Sequence, residues 1–194
     1  MKKTIFALII SIIGLVGIQK DVKAQVFNKG NLLFDMGIGI PFYSYSSIPP
    51  VYVNIEAGVH EYIGVGATAG YYSWSTYWLF TNYRYYANYF VGGGFVTFHG
   101  SELLKQLDLD MDDLLNTLDL YAKAGFAMKF KNYNDYRWNS NISDYVEVKK
   151  FGVYPDINFN LGARYYLSSN LAIFMEIGTG FYSYVQGGIT LKLK

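Results

Sequence analysis

An all-β fold, an eight-stranded antiparallel up-and-down barrel, is predicted for this 194-residue sequence by three observations. The first is strict alternation from Asp156 onwards. Ile157, Phe159, Leu161, Ala163, Tyr165, Ile173, Met175, Ile177, Ile189 and Leu191 occupy odd positions, while Asn158, Asn160, Arg164, Glu176, Gln186, Thr190 and Lys192 occupy even ones. Neighbouring side chains on a strand point to opposite faces, so alternation with period two marks β-structure. The second is that this segregation recurs in stretches of about 9–11 residues, the length of a tilted strand crossing a bilayer. The third is composition. There are 20 Tyr, 14 Phe and 20 Gly, with no long apolar run after residue 18, the bias of strands that show one face to lipid.

The sequence opens with Lys2 and Lys3, an apolar run over 5–18, a polar stretch over 19–23 and Ala24. This order predicts a cleaved signal peptide, 1–24, because the run falls short of the ~20 residues of a spanning helix. The remainder, 25–194, suits one domain. Cleavage removes four of 16 basic and one of 15 acidic residues, leaving a net charge of about −2 and no basic footprint for nucleic acid. Cysteine is absent, so an exported fold would do without disulfides.

The first strand is expected over 31–40, with Leu32, Phe34, Met36, Ile38 and Ile40 facing Asp35, Gly37 and Gly39 across the sheet. Prolines make 41–50 a loop. Strands over 51–59 and 63–72 form a hairpin around 60–62 and keep Tyr52, Asn54, Glu56 and Thr68 on one face. Residues 73–88, rich in Tyr, Trp and Ser, read as a long loop with strand extensions at its ends. A fourth strand at 89–98 fits either facing, since no charge fixes its parity. Leucines and Met111 recur at helical spacing over 101–117, predicting a short acidic amphipathic helix. A fifth strand over 118–131 puts Asp119, Tyr121, Lys123 and Lys129 opposite the apolar face, and 132–150 reads as a polar loop. Three closing strands follow, with a turn at 168–170 and a tip at 182–184.

Water-soluble barrels carry charge outside and apolar residues inside. Here Asp35, Glu56, Lys123, Lys129, Arg164, Glu176 and Lys192 all lie opposite a charge-free face. A soluble exterior without charge is hard to keep in solution, whereas Lys or Arg facing mid-bilayer costs about 2–4 kcal/mol. The expectation is therefore a transmembrane barrel, closed because an open edge in hydrocarbon leaves backbone groups unpaired. With its N-terminus in the periplasm, loops 41–50, 73–88, 132–150 and 182–184 face outside. Connections 60–62, 100–117 and 168–170 face the periplasm.

The stretches NIEAGVHEYIGVGATAGYYS and GARYYLSSNLAIFMEIGTGFYSYVQGGITLKLK resemble the small outer-membrane β-barrel proteins, porin-like and OmpA/OmpX-like, of Gram-negative bacteria. The resemblance is one of pattern and implies fold and location. Such barrels commonly end in an aromatic residue, whereas this sequence ends Leu193-Lys194; Phe181 and Tyr184 are the nearest aromatic substitutes.

The inward charges Asp35, Glu56, Lys123, Lys129, Arg164, Glu176 and Lys192 form the sharpest constellation. Pairing Leu167 with Leu171 makes Arg164 and Glu176 diagonal neighbours, the expected central ion pair, in either a gate or a static plug. Tyr71, Tyr72, Trp74, Trp78, Tyr165 and Tyr182 read as an interfacial aromatic girdle or as loop contacts that stack on glycans or proteins. Asp108, Asp110, Asp112, Asn116 and Asp119 match positions of a calcium loop, but Asp113 stands where that loop needs Gly; a solvated helix face is the expectation, and no metal or cofactor is assigned. His60, His99 and Ser101 are the material for hydrolysis, without an orienting acid in view. The leading reading is a non-enzymatic barrel with a structural or surface-interaction role and a charged, closed lumen. A narrow channel for small or hydrophobic solutes and a lipid-modifying enzyme are the alternatives. The expected partners are outer-membrane lipid, the barrel insertion machinery and an extracellular or periplasmic partner whose identity the sequence leaves open.

Overall fold

The computed structural model describes residues 27–40, 46–77, 84–105, 116–139, 144–181 and 183–194. The signal-peptide segment, Trp78, Asp108, Asp110, Asp112 and Tyr182 fall outside these residues. Among the described residues the chain forms eight strands: β1 Leu32–Ile40, β2 Ser46–Gly58, β3 Ile63–Tyr77, β4 Arg84–His99, β5 Leu118–Asn139, β6 Asp144–Tyr166, β7 Leu171–Thr179 and β8 Val185–Lys192. Each pairs antiparallel with the next, and β8 returns to β1 through Leu33↔Lys192 to Ile40↔Val185, closing the barrel. Closure removes the free edges that would otherwise pair with foreign strands. The first described residues and the last lie at one end of the barrel, where the Leu32 amide donates to the Lys194 carbonyl.

The strand extensions expected at the ends of 73–88 are present, and two segments expected as loops, 41–50 and 132–150, are strand at their described residues. β3 and β4 run on to Tyr77↔Arg84, and β5 and β6 continue without a register shift to Asn139↔Asp144. The second pair absorbs nearly all of 132–150. Polarity there does not mean loss of β-structure; cross-strand pairs such as Tyr133↔Lys150, Asp135↔Val148 and Tyr136↔Glu147 sustain the ladder. β2 starts at Ser46, with shifts between Ser46 and Val51 around Pro49 and Pro50. The prolines are tolerated because β1 pairs only as far as Ile38↔Val51, leaving them on a free edge where no N–H is needed. The expected helix over 101–117 is described only in part, as one turn, α1 Ser101–Lys105; residues 106–115 lie outside the described residues.

The facing of β4 is odd-inward. Val91, Phe95, Thr97 and His99 are buried while Phe90, Val96 and Phe98 are exposed. With that, outward positions of all eight strands form one uncharged surface that includes Met36, Ile55, Val65, Phe126, Leu161 and Met175, each at least 40% exposed. On four strands this surface ends at a common row, Tyr71↔Phe90↔Phe130↔Val153. Beyond it the outward residues on β3, β4 and β5 become Ser73, Asn88 and Asn132, and Lys149 and Glu147 follow Phe151 on β6.

Inside, three inward glycines each face an aromatic ring directly across the ladder: Gly37↔Tyr52, Gly66↔Phe95 and Tyr121↔Gly162. A Cβ at any of them would lie 2.3 Å from the opposing ring. The missing side chains are what let large rings fold across a narrow lumen and cover bare backbone. Phe27 and Phe181, 1% and 3% exposed, fill opposite ends of the interior.

Candidate functional site in the barrel interior

An eight-stranded barrel is just wide enough for its inward side chains to fill, so charges placed there must find partners or destabilise the fold. Parity puts Asp35 on β1, Glu56 on β2, His99 on β4, Asp119 on β5 and Arg164 on β6, all near the end that carries the termini. Arg164 is the hub and is fully buried. Its Nη2 donates to Glu56 Oε2 at 2.7 Å and Asp35 Oδ2 at 3.2 Å, and its Nη1 to Asp119 Oδ2 at 3.4 Å. Three carboxylates drawn from three strands converge on one guanidinium, whose planar fork suits several acceptors at once.

His99 bridges two of the same carboxylates. Its Nε2 lies 2.8 Å from Glu56 Oε1 and its Nδ1 2.9 Å from Asp119 Oδ2. Phe27 stacks on the imidazole with centroids 3.4 Å apart and planes within 7°, sealing the cluster from that end. Thr97 donates its hydroxyl to Glu56; Asp35 accepts from the Thr190 hydroxyl at 2.7 Å and from Asn54 Nδ2 at 3.3 Å. Gly64 lies beside the Glu56 carboxylate, where a Cβ would sit 2.1 Å from Oε1.

The expected Arg164–Glu176 pair is not made. The register is as predicted, with Gly162↔Glu176 and Arg164↔Phe174, but Tyr121 intervenes. Its ring occupies the space above Gly162. Its hydroxyl donates to Glu176 Oε1 at 2.7 Å, and the Arg164 guanidinium sits 4.4 Å over its face. Tyr121 thereby divides the interior into two charge groups. In the second, Glu176 pairs with Lys123 and also accepts from Gln186 and, at 3.4 Å, from Asn160.

Other sequence-derived residues fall elsewhere. Lys129 pairs with Asp156 at 2.6 Å, away from both groups and with each side chain about a quarter exposed. Lys192 is half-buried beside Leu33 at the terminal end. Asp119 is not a metal-loop residue: as an inward position of β5 it is 0% exposed and committed to His99 and Arg164. Asn116 lies in the turn before β5. Tyr72 and Trp74 are not girdle residues, because even positions of β3 face inward. Tyr72 stacks on Tyr89 at 4.5 Å, and Trp74 Nε1 donates to the Tyr89 hydroxyl at 3.4 Å. Tyr71 and Tyr165 do face outward, Tyr165 near the terminal end. Phe181 turns into the lumen, so it offers no exposed terminal aromatic. His99, Thr97, Asp119 and Tyr121 are among the interior residues whose roles sequence reading missed; parity would have found His99 and Thr97 had a charge marked the facing of β4.

Chemically, the cluster holds a hydroxyl, an imidazole and a carboxylate in line, with Thr97 Oγ1 at 3.1 Å from His99 Nε2. The hydroxyl is 0% exposed and turned to Glu56, leaving no room for a substrate carbonyl. Ser101 is likewise committed, donating to the Leu118 carbonyl at 2.9 Å and accepting from the Leu120 amide at 2.7 Å. A void among Tyr52, Phe95, Lys123, Asn158 and Phe181 measures about 10 Å³, at the lower limit for one water.

No protein-family model matches this chain, and no curated protein matches its sequence. Solved structures that resemble it are β-barrels. The N-terminal β-barrel domain of Pseudomonas aeruginosa OprF is 11% identical, over 85% of this chain and 98% of that one, with a TM-score of 0.48. De novo designed transmembrane β-barrels are 20% identical, over 86% and 98%, at 0.44. Ail, the attachment invasion locus protein of Yersinia pestis, in complex with the heparin analogue sucrose octasulfate, is 10% identical, over 84% and 93%, at 0.41. At these values the likeness carries no argument about function, ligands or partners.

Proposed function

We propose that this chain is a non-enzymatic integral barrel of a Gram-negative outer membrane, exported by a cleaved signal peptide. Its lumen is closed, and it acts through the hairpins that rise above the bilayer. The observation that carries the reading is the separation of charge: among the described residues, outward positions are uncharged up to the row Tyr71, Phe90, Phe130 and Val153, while Asp35, Glu56, Asp119, Lys123, Arg164 and Glu176 are buried inside. Water would favour the reverse arrangement, and only a hydrocarbon surround makes an uncharged exterior stabilising. The row Tyr71, Phe90, Phe130 marks one lipid–water border, with the polar ends of β3–β6 beyond it. The filled interior supports closure, and the sequestered Thr97 and Ser101 hydroxyls support a non-enzymatic role.

Reconstitution into planar bilayers tests this. The folded protein should insert and pass no current. Stepwise conductance would establish the channel alternative, and failure of the folded barrel to enter lipid would remove the membrane reading altogether.

A further inference from the structure

The β4–β5 ladder ends at Ala87↔Tyr133, although both strands continue. At the fork the side chain of Asn134 replaces the lost ladder bond, accepting from the Tyr86 amide at 2.6 Å. The hairpins β3–β4 and β5–β6 diverge from there and leave a cleft of about 430 Å³ on the outer face. That is within the size range of small-ligand sites. Its walls include Tyr86, Asn88, Asn134, Tyr136 and Glu147.

These residues have a recognisable combination of chemistries. Tyr86 and Tyr136 supply aromatic faces and hydroxyls. Asn88 supplies an amide that both donates and accepts, Glu147 supplies a pure acceptor, and the fully buried Asn134 braces Tyr86 and Tyr136 from behind. The groups are already mutually organised: the Tyr86 hydroxyl lies 3.4 Å from Glu147 Oε1, Asn134 Nδ2 donates to the Tyr136 hydroxyl at 3.1 Å, and Tyr136 is paired with Glu147 across the ladder. The lining contains one carboxylate and no cation among the described residues. Lys131, at an inward position of β5, is turned over the rings of Tyr89 and Tyr133 at 5.5 and 4.3 Å on the lumen side, and Lys149, opposite Asn134 across the ladder, does not line the cleft. A phosphate or sulfate would meet net repulsion there, whereas a pyranose ring meets a flat apolar surface for its C–H face and paired acceptors and donors for its hydroxyls.

We propose that this cleft binds an uncharged pyranose sugar. Two sources fit that chemistry, the head group of a glycolipid in the surrounding leaflet and a free oligosaccharide. The first is reachable because the cleft faces sideways, one row beyond Tyr71, Phe90 and Phe130. That placement at the lipid border rests on the membrane reading above; the sugar chemistry of the cleft does not.

The refolded protein is presented in two forms. In phosphatidylcholine nanodiscs it meets neutral glycolipids of one to three pyranose rings or, as the anionic control, phosphatidylglycerol. In detergent micelles it meets the same sugars as free oligosaccharides. Retained ligand is read by native mass spectrometry. At least one neutral sugar should be retained over phosphatidylglycerol, with about tenfold loss in Glu147→Gln, which is nearly isosteric, and in Tyr136→Ala. The Lys149→Ala control should bind as wild type. Binding in both arms, or in the nanodisc arm alone, assigns the head group; binding only in micelles assigns the free sugar. Retention of no neutral sugar in either arm, preference for the anionic lipid, or unchanged binding in both variants overturns the proposal. Failure to enter nanodiscs counts against the membrane reading alone, because the micelle arm still reads the cleft.

Discussion

Replacing Arg164 by Met removes the one cation that, among the described residues, pairs with Asp35, Glu56 and Asp119 together. Arg164 and its three carboxylates are each no more than 1% exposed, and the guanidinium reaches them at 2.7, 3.2 and 3.4 Å. His99 still bridges Glu56 and Asp119, and Thr190 and Asn54 still donate to Asp35, so the carboxylates are weakened in their support and not stripped of it. Breaking a buried ion pair from one side typically costs about 3–5 kcal/mol, because the partner's charge stays buried without compensation. With a urea slope of about 2 kcal/mol per molar, the unfolding midpoint should fall by roughly 2 M. The assay is urea unfolding of the lipid-reconstituted barrel, followed by tryptophan fluorescence and by the mobility difference between folded and heated protein on cold gels. Asp35→Asn in the Arg164→Met background should recover part of the loss, since it removes one of the stranded charges, although the same change in the wild-type protein should destabilise. A midpoint for Arg164→Met within about 0.5 M of wild type would refute the hub, and so would purely additive behaviour of the two substitutions.

The second charge group yields its own cycle. Lys123→Met should cost less than Arg164→Met, about 2–4 kcal/mol, because Tyr121, Gln186 and Asn160 continue to donate to Glu176; equal losses would contradict the division by Tyr121. Tyr121→Phe keeps the ring over Gly162 but removes a bond to a buried carboxylate, a loss of about 1.5–3 kcal/mol in the same unfolding assay. Gly162→Ala should also destabilise, by about 1–3 kcal/mol through overpacking against that ring, and a neutral result would mean the ring is free to move. On the outer wall, Met175→Arg should cost about 2–4 kcal/mol in lipid if that position faces the bilayer. Lys149→Ala, beyond the polar border, should change the unfolding free energy by less than about 0.5 kcal/mol.

The barrel itself was legible because its signal is local and repeated. Period-two alternation needs only adjacent residues, and charges on one parity, as at Asp35, Glu56, Lys123, Arg164 and Glu176, identify the inward face strand by strand. Where no charge stood, as in 89–98, the facing stayed open and His99 with it. Strand extensions are legible at the ends of 73–88 but not over 132–150, where polar residues occupy both faces. Alternation then loses its meaning, and ladders such as Tyr133↔Lys150 are held by pairing that a hydrophobic pattern does not record.

Sequence alone determined that this chain folds as a strand-built barrel with its charge on one face and its grease on the other, since both follow from neighbours one and two positions apart. Only the tertiary structure decided which charges meet. Asp35, Glu56, Asp119 and Arg164 are separated by as many as 129 residues, the span from Asp35 to Arg164, and the closing of β8 on β1 brings β1 round towards β6. The diagonal pairing of Arg164 with Glu176 was a sound inference from two strands. It failed because Tyr121, on a third strand, folds its ring over Gly162 and comes between them.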